Sequence, residues 1–504
     1  MVKASFPDLV REHRTETVPP EPHCLVTDVE APLKEQIFDL SQRQRIADVH
    51  HHREADHLGR AVEITEGIAH RRRLGMSPAR LNPIYSDNAF ASYAMTRFPL
   101  KNEMTSDSPQ DKAAQLMSEF ARRTGLSPAA QNPRRYLWTD AFAVCNFLEL
   151  FQRTTDRRYR YYAMELIDQV HQVLGRYRDD DVRRGWISGF DEERGRRHPT
   201  LGGLRIGKIL RERGLNEAID ERLEWDRDGQ YFHYLTKWMH ALCRAASATG
   251  DSKYVQWAGE LAQGSFRAFV RRSISGEVVG VTWKMSTDLS RPLVPAVGQH
   301  DALDGLITFW EIRHATQNHV RFDDLNQSIE TLSALCQHTD WTTDDPLGLG
   351  GLLFDACRLC QLLRNEHQRD VRLLEEVLQA CLSGLTALLA SRYLDRPATH
   401  RLAFRELGLA LGLRALPMIA EAMKRDRSRL WDRPNLRRFI ELLLPYEPLG
   451  GEIIDLWLPH AQRRDEGWRA HQDINDAMLA TALIPNMFLS VGNDFRTTSQ
   501  IMNS

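Results

Sequence analysis

The feature that most constrains the fold of this chain is an alternation between polar or aromatic clusters and apolar helical segments. Six segments open with such a cluster and run directly into an apolar helix. Between most of them lies a second amphipathic helix, which is the pattern of stacked helical hairpins. The clusters are Trp138-Thr139-Asp140, Tyr231 to Trp238, Gln299 to Asp304, Asp344-Asp345-Pro346, His400-Arg401 with Arg405-Glu406, and His471 to Asp476.

The spacing of the six clusters argues against a regular helical solenoid. They begin roughly 45 to 95 residues apart, whereas tetratricopeptide and ankyrin arrays repeat at a fixed period of about 33 or 34 residues. Unequal loops between hairpins are compatible with a closed ring. In such a ring the clusters would gather at one end and form the mouth of a pocket.

A local repeat supports the hairpin interpretation. The motif Asp-x-x-Tyr-x-x-x-Ala-x-x-Leu begins at Asp156 and again at Asp251, each time after a short turn that contains threonine. An aspartate in that position can cap the first N–H groups of the next helix. The apolar residues that follow form a stripe at helical spacing, so each unit is predicted to be a helix, a tight turn and a capped helix.

Composition narrows the class of protein. The 504 residues carry a formal net charge of −2, which does not provide the basic surface of a nonspecific nucleic-acid binder. The seven cysteines are odd in number and lie mostly in apolar runs, which favours buried thiols over a disulfide framework. The N-terminus lacks the pattern of a secretory signal, and no uninterrupted apolar run reaches the roughly 18 residues of a membrane span. We therefore expect a cytoplasmic protein that binds neither nucleic acid nor membrane; the oligomeric state stays open.

Periodicity divides the chain into four regions. Residues 1–35 are predicted to be an extended arm, 36–135 a helical region that packs on the main domain, 136–490 the hairpin domain, and 491–504 a C-terminal tail. The best strand candidate is Val278 to Trp283, in a loop. Later helices are predicted at 301–316, 323–338, 347–365, 370–392, 401–425, 434–444 and 473–489.

The paired helices, the turn Thr-Gly-Asp-x-x-Tyr-x-x-x-Ala at 249–258 and the aromatic and acidic helix openings resemble the six-hairpin (α/α)6-toroid superfamily. That group includes glycosidases, polysaccharide lyases and isomerases similar to N-acylglucosamine 2-epimerase. The resemblance covers roughly 136–490 and implies an all-α fold, an (α/α)6 toroid of helical hairpins with an N-terminal helical extension. It also implies a ligand funnel lined by the inner helices and by long loops at one face. No complete catalytic motif of one member family is present.

The chemistry that the resemblance implies is acid–base catalysis on a carbohydrate, either glycoside hydrolysis or sugar epimerisation. Such chemistry needs groups whose pKa values are pushed apart, and histidine suits proton transfer because it titrates near neutrality. The candidate catalytic residues are His300, Asp304, His233 and Asp140. Each has a structural alternative, since Asp140 can cap a helix and His233 can be a core histidine.

Aromatic and charged residues near the same clusters are candidates for substrate binding, because sugar faces stack on aromatic rings and polar groups fix their orientation. The alternatives are core packing, an internal salt bridge at 400–406, and a solvated basic loop at 196–208, which otherwise could hold a phosphate or carboxylate. The candidates are Trp138, Tyr234, Lys237, Trp238, Trp186, His198, Arg205, His400, Arg401 and His471.

No cofactor or metal is expected, because local metal-ligand spacings and glycine-rich phosphate loops of Walker or Rossmann type are lacking. A metal assembled from distant clusters stays open, since His300, Asp304, His400 and Asp476 are suitable ligands. The expected partner is a small molecule or an oligosaccharide. Two other functions remain open. One is a noncatalytic ligand-binding or scaffold toroid, which is favoured if the catalytic candidates occupy separate salt bridges rather than a common cavity. The other is an isoprenoid cyclase, for which the acidic run 179–181 is the only support.

Overall fold

The computed structural model describes residues 108–316, 325–337, 339–363, 368–425 and 430–492. The predicted arm at 1–35, most of the predicted helical region at 36–135 and all but two residues of the predicted tail lie outside these ranges. The helices are α1 (Pro109–Arg123), α2 (Leu137–Thr154), α3 (Arg157–Leu174), α4 (Glu192–Arg197), α5 (Glu221–Asp226), α6 (Phe232–Thr249), α7 (Lys253–Phe269), α8 (Asp301–Thr316), α9 (Leu325–Leu335), α10 (Pro346–Leu362), α11 (Gln368–Ala390), α12 (Ala403–Arg414), α13 (Leu416–Arg425), α14 (Pro434–Leu443), α15 (Glu447–Arg463), α16 (Glu466–Ala470), α17 (Gln472–Leu483) and α18 (Asn486–Leu489).

Six of these helices form a closed inner ring. Helix α2 packs against α6, α6 against α8, α8 against α10, α10 against α12, α12 against α17, and α17 returns to α2. These helices are buried along most of their length, which explains why their sequences are apolar on nearly every face. The predicted (α/α)6 toroid is therefore confirmed by the packing itself.

An outer layer of amphipathic helices covers the ring. Helix α3 pairs with α2, α7 with α6, α9 with α8 and α11 with α10, while α15 covers α12. The aspartates of the local repeat act as predicted. The Oδ1 atom of Asp156 accepts a hydrogen bond from the backbone N–H of Arg158 at 2.9 Å, and that of Asp251 accepts one from the backbone N–H of Lys253 at 3.0 Å.

The sixth hairpin joins distant parts of the chain. Its outer helix is α1, which precedes the ring in sequence and packs on both α17 and α2. The Arg123 guanidinium on α1 donates hydrogen bonds to Asp473 at 2.6 Å and to Asp476 at 2.8 Å. On the α2 side, Asn146 donates to the carbonyl of Ala477 at 2.9 Å. These bonds close the ring.

A short C-terminal segment fills the bottom of the ring. Phe488 on α18 stacks between Phe142 and Phe354, with ring centroids 4.2 and 4.5 Å away. The backbone of this segment is held by inner-helix side chains, because His240 contacts the carbonyl of Phe488 at 2.9 Å and Gln361 donates to that of Leu489 at 2.8 Å. We call residues 486–492 the plug.

Strands are few among the described residues. Gln230–Tyr231 (β1) pairs antiparallel with Lys284–Met285 (β4), and Val270–Arg272 (β2) with Val278–Val281 (β3). The second pair confirms the predicted strand signal in the loop before α8.

The structure corrects several predicted helix boundaries. The single helix expected at 401–425 is two helices that meet at Ala415, and the helix expected at 473–489 ends before Pro485. Pro417 and Pro485 account for both breaks, because proline lacks an N–H and clashes with the preceding turn. Helix α15 was not predicted, since Pro448, two glycines and Pro459 obscured its periodicity.

One outer helix is long and apolar enough to cross a membrane by length and composition alone. It is the 370–390 stretch of α11, and half of its most apolar window is buried inside the fold. The sequence predicted no such span. In this structure α11 packs against α10 and α14, as an outer helix of the ring.

Glycines let α10 and α12 approach closely. A Cβ atom on Gly350 would lie 2.1 Å from the carbonyl oxygen of Gly408, and one on Gly412 would lie 2.7 Å from Cα of Gly350. The clashing atoms belong to the backbone, so no side-chain rotation could relieve the overlap. A Cβ atom on Gly351, one position later, would meet no heavy atom within 4 Å.

We expect Gly350→Ala to lower the free energy of unfolding by about 1–3 kcal/mol, the usual cost of overpacking. Gly351→Ala is the matched control, and it should raise stability by up to about 1 kcal/mol because alanine is the better helix former. Urea denaturation followed by circular dichroism measures both changes. Equal effects of the two substitutions would contradict close packing of α10 on α12.

Candidate active site

A cavity of about 170 Å³ lies on the axis of the ring, at the end where the inner helices begin. All six inner helices contribute to its wall, and Phe488 of the plug forms its floor. We call it the axial cavity. Its polar and aromatic lining residues are Trp138, Phe142, His233, Lys237, Trp283, Gln299, His300, Asp301, Asp304, Thr343, Asp345, Phe354, Asp355, Arg405 and Phe488.

Asp304 on α8 is held by three neighbours. Its Oδ2 atom accepts hydrogen bonds from Lys237 Nζ at 2.8 Å and from the Thr236 hydroxyl, and its Oδ1 atom lies 3.5 Å from the Arg358 guanidinium. Burial pushes the pKa of this carboxyl upward, but the two cations outweigh burial and hold the pKa below its ordinary value. Asp304 is therefore ionised at neutral pH.

Asp355 on α10 is the opposite case. Burial, followed by the negative charge of neighbouring Asp304, raises the pKa of Asp355 to about 7. The same Arg358 nitrogen that faces Asp304 lies 3.4 Å from Asp355 Oδ1. Two carboxyl groups that share one guanidinium thus have pKa values shifted in opposite directions, that of Asp355 to near neutrality, and they titrate as a coupled pair.

Two histidines line the axial cavity in their neutral form. Burial, aided by the charge of Lys237, lowers the pKa of His233 to about 3, and burial also lowers that of His300. His233 Nδ1 lies 3.6 Å from an Asp301 oxygen. His300 Nε2 lies 3.1 Å from the carbonyl of Trp341, which can only accept, so Nε2 carries the proton and Nδ1 is the basic nitrogen.

Asp345 connects the start of α10 to α12. Its Oδ2 atom accepts a hydrogen bond from the N–H of Gly348 at 2.7 Å and so caps α10. Its Oδ1 atom accepts one from Arg405 Nε at 2.9 Å. The pair fixes Arg405 in the wall of the cavity, where it adds a second cation besides Lys237.

A buried charge network supports the cavity from below. Arg358 donates to Glu311 at 2.6 Å, and Glu311 contacts His240 Nδ1 at 2.8 Å. Arg244 lies 3.5 Å from the other Glu311 oxygen. These contacts link α6, α8 and α10, so they fix the relative positions of the helices that carry Lys237, Asp304 and Asp355.

The predicted catalytic residues are not all brought together. His233, His300 and Asp304 share the axial cavity, whereas Asp140 lines a second, larger cavity. Asp140 Oδ2 accepts a hydrogen bond from the N–H of Tyr136 at 2.9 Å, as a residue at the start of a helix does, and Oδ1 faces Arg135 at 3.3 Å. Burial raises the pKa of Asp140 to about 6.

The second cavity has a volume of about 790 Å³ and lies beside the axial cavity, between the first turns of α2 and α17 and the loop at 205–209. We call it the lateral cavity. Of the predicted substrate-binding residues, Tyr234, Arg205 and His471 lie in its wall, while Trp138 and Lys237 line the axial cavity.

The other predicted substrate-binding residues line neither cavity. Trp238 donates to His171 Nε2 at 3.1 Å, His198 pairs with Glu260 at 2.7 Å, and Trp186 packs under Gly195, where its indole N–H reaches Glu192 at 3.3 Å. Arg401 pairs with Glu406, and His400 is exposed beside Thr399. These contacts stabilise the hairpins and the long loop between α3 and α6. In the acidic run, Asp180 and Asp181 pair with Arg178 and Arg183.

Sequence reasoning missed Asp355 and Trp283. Asp355 lies inside an apolar helix, three residues before Arg358, and that pair of opposite charges in an apolar run was the available signal. Trp283 enters the cavity from the loop that follows β3. Nothing in the sequence around it marks that contact, which depends on the strand pairing of its loop.

Among the described residues, no group of three or more His, Cys, Asp or Glu side chains converges as a metal site would require. The six described cysteines are free and buried.

Comparison with known proteins gives only structural similarities. No family model and no curated protein matches the chain. Similar solved structures include a cellobiose 2-epimerase from Spirochaeta thermophila DSM 6192, at 12% identity over 76% of this chain and 100% of that chain, with a TM-score of 0.38. An α-1,6-mannanase, GH76A, from Salegentibacter sp. HEL1_6 is 10% identical over 76% and 100% of the two chains, with a TM-score of 0.43. A D-mannose isomerase is 13% identical over 68% and 88%, with a TM-score of 0.38.

The raised pKa of Asp355 predicts a pH-dependent stability difference. Folded protein keeps this carboxyl protonated between about pH 4 and 7, where the unfolded chain has released the proton. The free energy of unfolding therefore falls as pH rises through that window, and Asp355→Asn removes this contribution. We expect the wild type to lose stability relative to the variant between pH 5 and 7, by up to about 1.4 kcal/mol per pH unit.

Urea denaturation of both proteins across this range provides the measurement. The buried neutral histidines make the free energy of unfolding rise with pH, which opposes the effect of Asp355. Because this contribution is the same in the wild type and the variant, it cancels in the difference between their stabilities. Asp455→Asn, an exposed change on α15, is the control and should run parallel to the wild type. Parallel curves for Asp355→Asn as well would show that Asp355 is ionised in the folded protein.

Proposed function

We propose that this protein is a carbohydrate-active enzyme that epimerises or isomerises one sugar unit in the axial cavity by proton transfer at carbon. The observation that carries the proposal is the combination of two neutral histidines, a carboxyl with a raised pKa and two cations around one small cavity. At about 170 Å³ the cavity is smaller than typical ligand pockets of roughly 300–1,000 Å³. That size favours a single sugar unit over a segment of polysaccharide.

The reaction begins with removal of a proton from the carbon next to the carbonyl of an open-chain sugar. His300 Nδ1 is the proposed base, because the proton on Nε2 is engaged with Trp341. The electron pair of the broken C–H bond moves onto the carbonyl oxygen and creates an oxyanion. Lys237 and the protonated carboxyl of Asp355 are the groups that stabilise this charge, as a neutral carboxylic acid can in a low-dielectric site.

Return of the proton completes the reaction without an external oxidant or cofactor. The His300 imidazolium, whose N–H protons exchange with solvent, returns a proton to the same carbon after the enolate has turned its other face to it; this inverts the centre, gives an epimer and restores neutral His300. Delivery to the neighbouring carbon, with transfer of the hydroxyl proton of the first carbon to the former carbonyl oxygen, gives the isomeric ketose or aldose. Trp138 and Trp283 provide flat surfaces for the sugar, and the Asp345–Arg405 pair offers polar contacts for its hydroxyl groups.

Glycoside hydrolysis is the second candidate, and the divergent pKa values of Asp304 and Asp355 favour it. A carboxylic acid with a raised pKa can protonate the leaving glycosidic oxygen while an ionised carboxylate stabilises the developing positive charge. The third possibility is a noncatalytic binding protein. It is disfavoured because His233, His300 and the ion-paired Asp304 line one common cavity, although Asp140 does not.

A panel of aldoses, ketoses and disaccharides incubated with the protein in D₂O distinguishes these functions. Epimerisation or isomerisation should place deuterium at the carbon next to the carbonyl, which NMR detects, whereas hydrolysis releases new reducing ends without such exchange. Binding without either signal would establish the noncatalytic alternative. The absence of exchange, hydrolysis and binding across the panel would overturn a carbohydrate function altogether.

We expect His300→Asn to lower kcat by about 10²–10⁴-fold, the usual contribution of a general base, with a smaller effect on KM. His314→Asn is the matched control, because His314 lies at the exposed far end of α8, the helix that directly follows His300. Steady-state kinetics on the best substrate of the panel measures both. Activity of His300→Asn within a few-fold of the wild type would exclude His300 as the base.

A further inference from the structure

The lateral cavity is larger than the axial cavity and has no role in the proposed reaction. Its volume of about 790 Å³ is within the usual range for small-molecule sites. A wall of aromatic rings separates it from the axial cavity. The ring centroids of Tyr234 and Trp138 are 6.4 Å apart, and the Tyr234 hydroxyl lies 2.7 Å from that of Tyr136. The ring of Tyr231 stacks on that of His233, with centroids 5.4 Å apart.

The lateral cavity is lined by more cationic than anionic side chains. Seven Arg or Lys side chains and five Asp side chains line it. Part of this charge is neutralised internally, since Arg123 pairs with Asp473 and Asp476, and Arg205 pairs with Asp228 at 2.5 Å. Asp140, Asp179, Asp180 and Asp226 also face the cavity, so a bound anion must be placed where cations outweigh them.

Arg135 marks such a place. Its side chain is fully buried, one guanidinium nitrogen donates to the carbonyl of Thr124 at 2.7 Å, and another faces Asp140 at 3.3 Å. The buried Nε atom of Arg135 has no hydrogen-bond acceptor. An unsatisfied buried donor on a charged group is costly, and Asp140, which faces another nitrogen of this guanidinium, leaves Nε without a partner.

A glycine brings a second cation to the same corner. Gly207 has a φ of +93°, and a Cβ atom there would lie 2.3 Å from the carbonyl oxygen of Arg135. Only glycine allows this approach, and it sets the next residue, Lys208, against the start of α2. Lys208 Nζ lies 5.6 Å from the centre of the Tyr136 ring. This is the glycine- and cation-rich loop at 196–208 that the sequence marked as able to hold a phosphate or carboxylate.

The N-terminal ends of two helices at this corner also favour an anion. Helix α2, of 18 residues, and helix α17, of 12 residues, both begin at the lateral cavity. The N-terminal end of a helix carries a partial positive charge and favours anions. The tyrosine rings of the dividing wall provide an apolar surface next to this positive corner.

We infer that the lateral cavity is a second binding site, for a sugar that carries a phosphate or carboxylate group. The anionic group is placed beside Lys208, in the positive field of the buried Arg135 behind it, and the sugar ring lies against Tyr136 and Tyr234. The site takes its ligand independently of the proton transfer proposed for the axial cavity. It would hold an acidic sugar as an effector.

Isothermal titration calorimetry of the full chain tests this site with three probes that share one ring: glucose 6-phosphate, glucuronate and glucose. We expect at least one of the two anions to bind more tightly than glucose. The anion with the higher affinity shows whether the site prefers a phosphate or a carboxylate. Lys208→Met should weaken that binding by roughly tenfold or more, the scale of a lost charge-assisted hydrogen bond. Arg372→Gln, an exposed change on α11, is the control and should bind as the wild type does.

Two further variants separate this site from the axial cavity and from folding defects. Arg135→Gln, whose folding is checked by circular dichroism, should lower the affinity for the anionic probe as Lys208→Met does. If Arg135→Gln does not fold, the affinity of Lys208→Met alone tests the site. Asp355→Asn, which alters only the axial cavity, should retain anion binding even if no sugar is turned over. Binding no stronger for the anions than for glucose, unchanged binding by Lys208→Met, or loss of anion binding in Asp355→Asn would each overturn the inference.

Discussion

The interior of the ring depends on one guanidinium group. Arg358 has no exposed side-chain surface, and its nitrogens contact Glu311, Thr308, Asp304 and Asp355. Because these partners lie on α8 and α10, and because Glu311 extends the network to α6, the group connects three of the six inner helices. Removing one partner from a buried pair of this kind costs about 3–5 kcal/mol, since a charge is left uncompensated. The ring therefore relies on polar contacts inside an otherwise apolar wall.

The same group gives the cavity its chemistry. Arg358 and Lys237 together keep Asp304 ionised, and ionised Asp304 in turn helps to keep Asp355 protonated. The pKa of Asp355 depends on Asp304, and that of Asp304 depends on Lys237 and Arg358, so the acid–base properties belong to the network rather than to a single residue. The plug closes the cavity beneath these residues with stacked phenyl rings. Exclusion of water from that side strengthens each electrostatic contact.

Much of the architecture was readable from the sequence, because hairpin rhythm, helix caps and apolar stripes are local patterns. The closed ring, the capping aspartates at 156 and 251, and the strand after Arg272 all follow from such patterns. The grouping of the site residues was harder to read. Asp140 and Asp304 occupy equivalent places at the openings of inner helices, yet a layer of tyrosines puts them in different cavities. That layer is set by side-chain packing between α2 and α6, which no local pattern encodes. Asp355 could not be predicted as a site residue for a related reason, since only the folded ring shows which face of α10 lines the cavity.

The closure of the ring also constrains how the protein is made. Arg123 on α1 and its partner Asp473 are 350 residues apart in sequence. At the usual 5–20 residues per second of translation, α1 leaves the ribosome roughly 20 to 70 s before the helix that covers it. During that interval the side chains of Met117 and Phe120, which are fully buried in the finished ring, lack the surface supplied by α17. A nascent chain of this protein thus exposes apolar surface on α1 until the last inner helix has been synthesised. Exposed surface of this kind is what cotranslational chaperones bind.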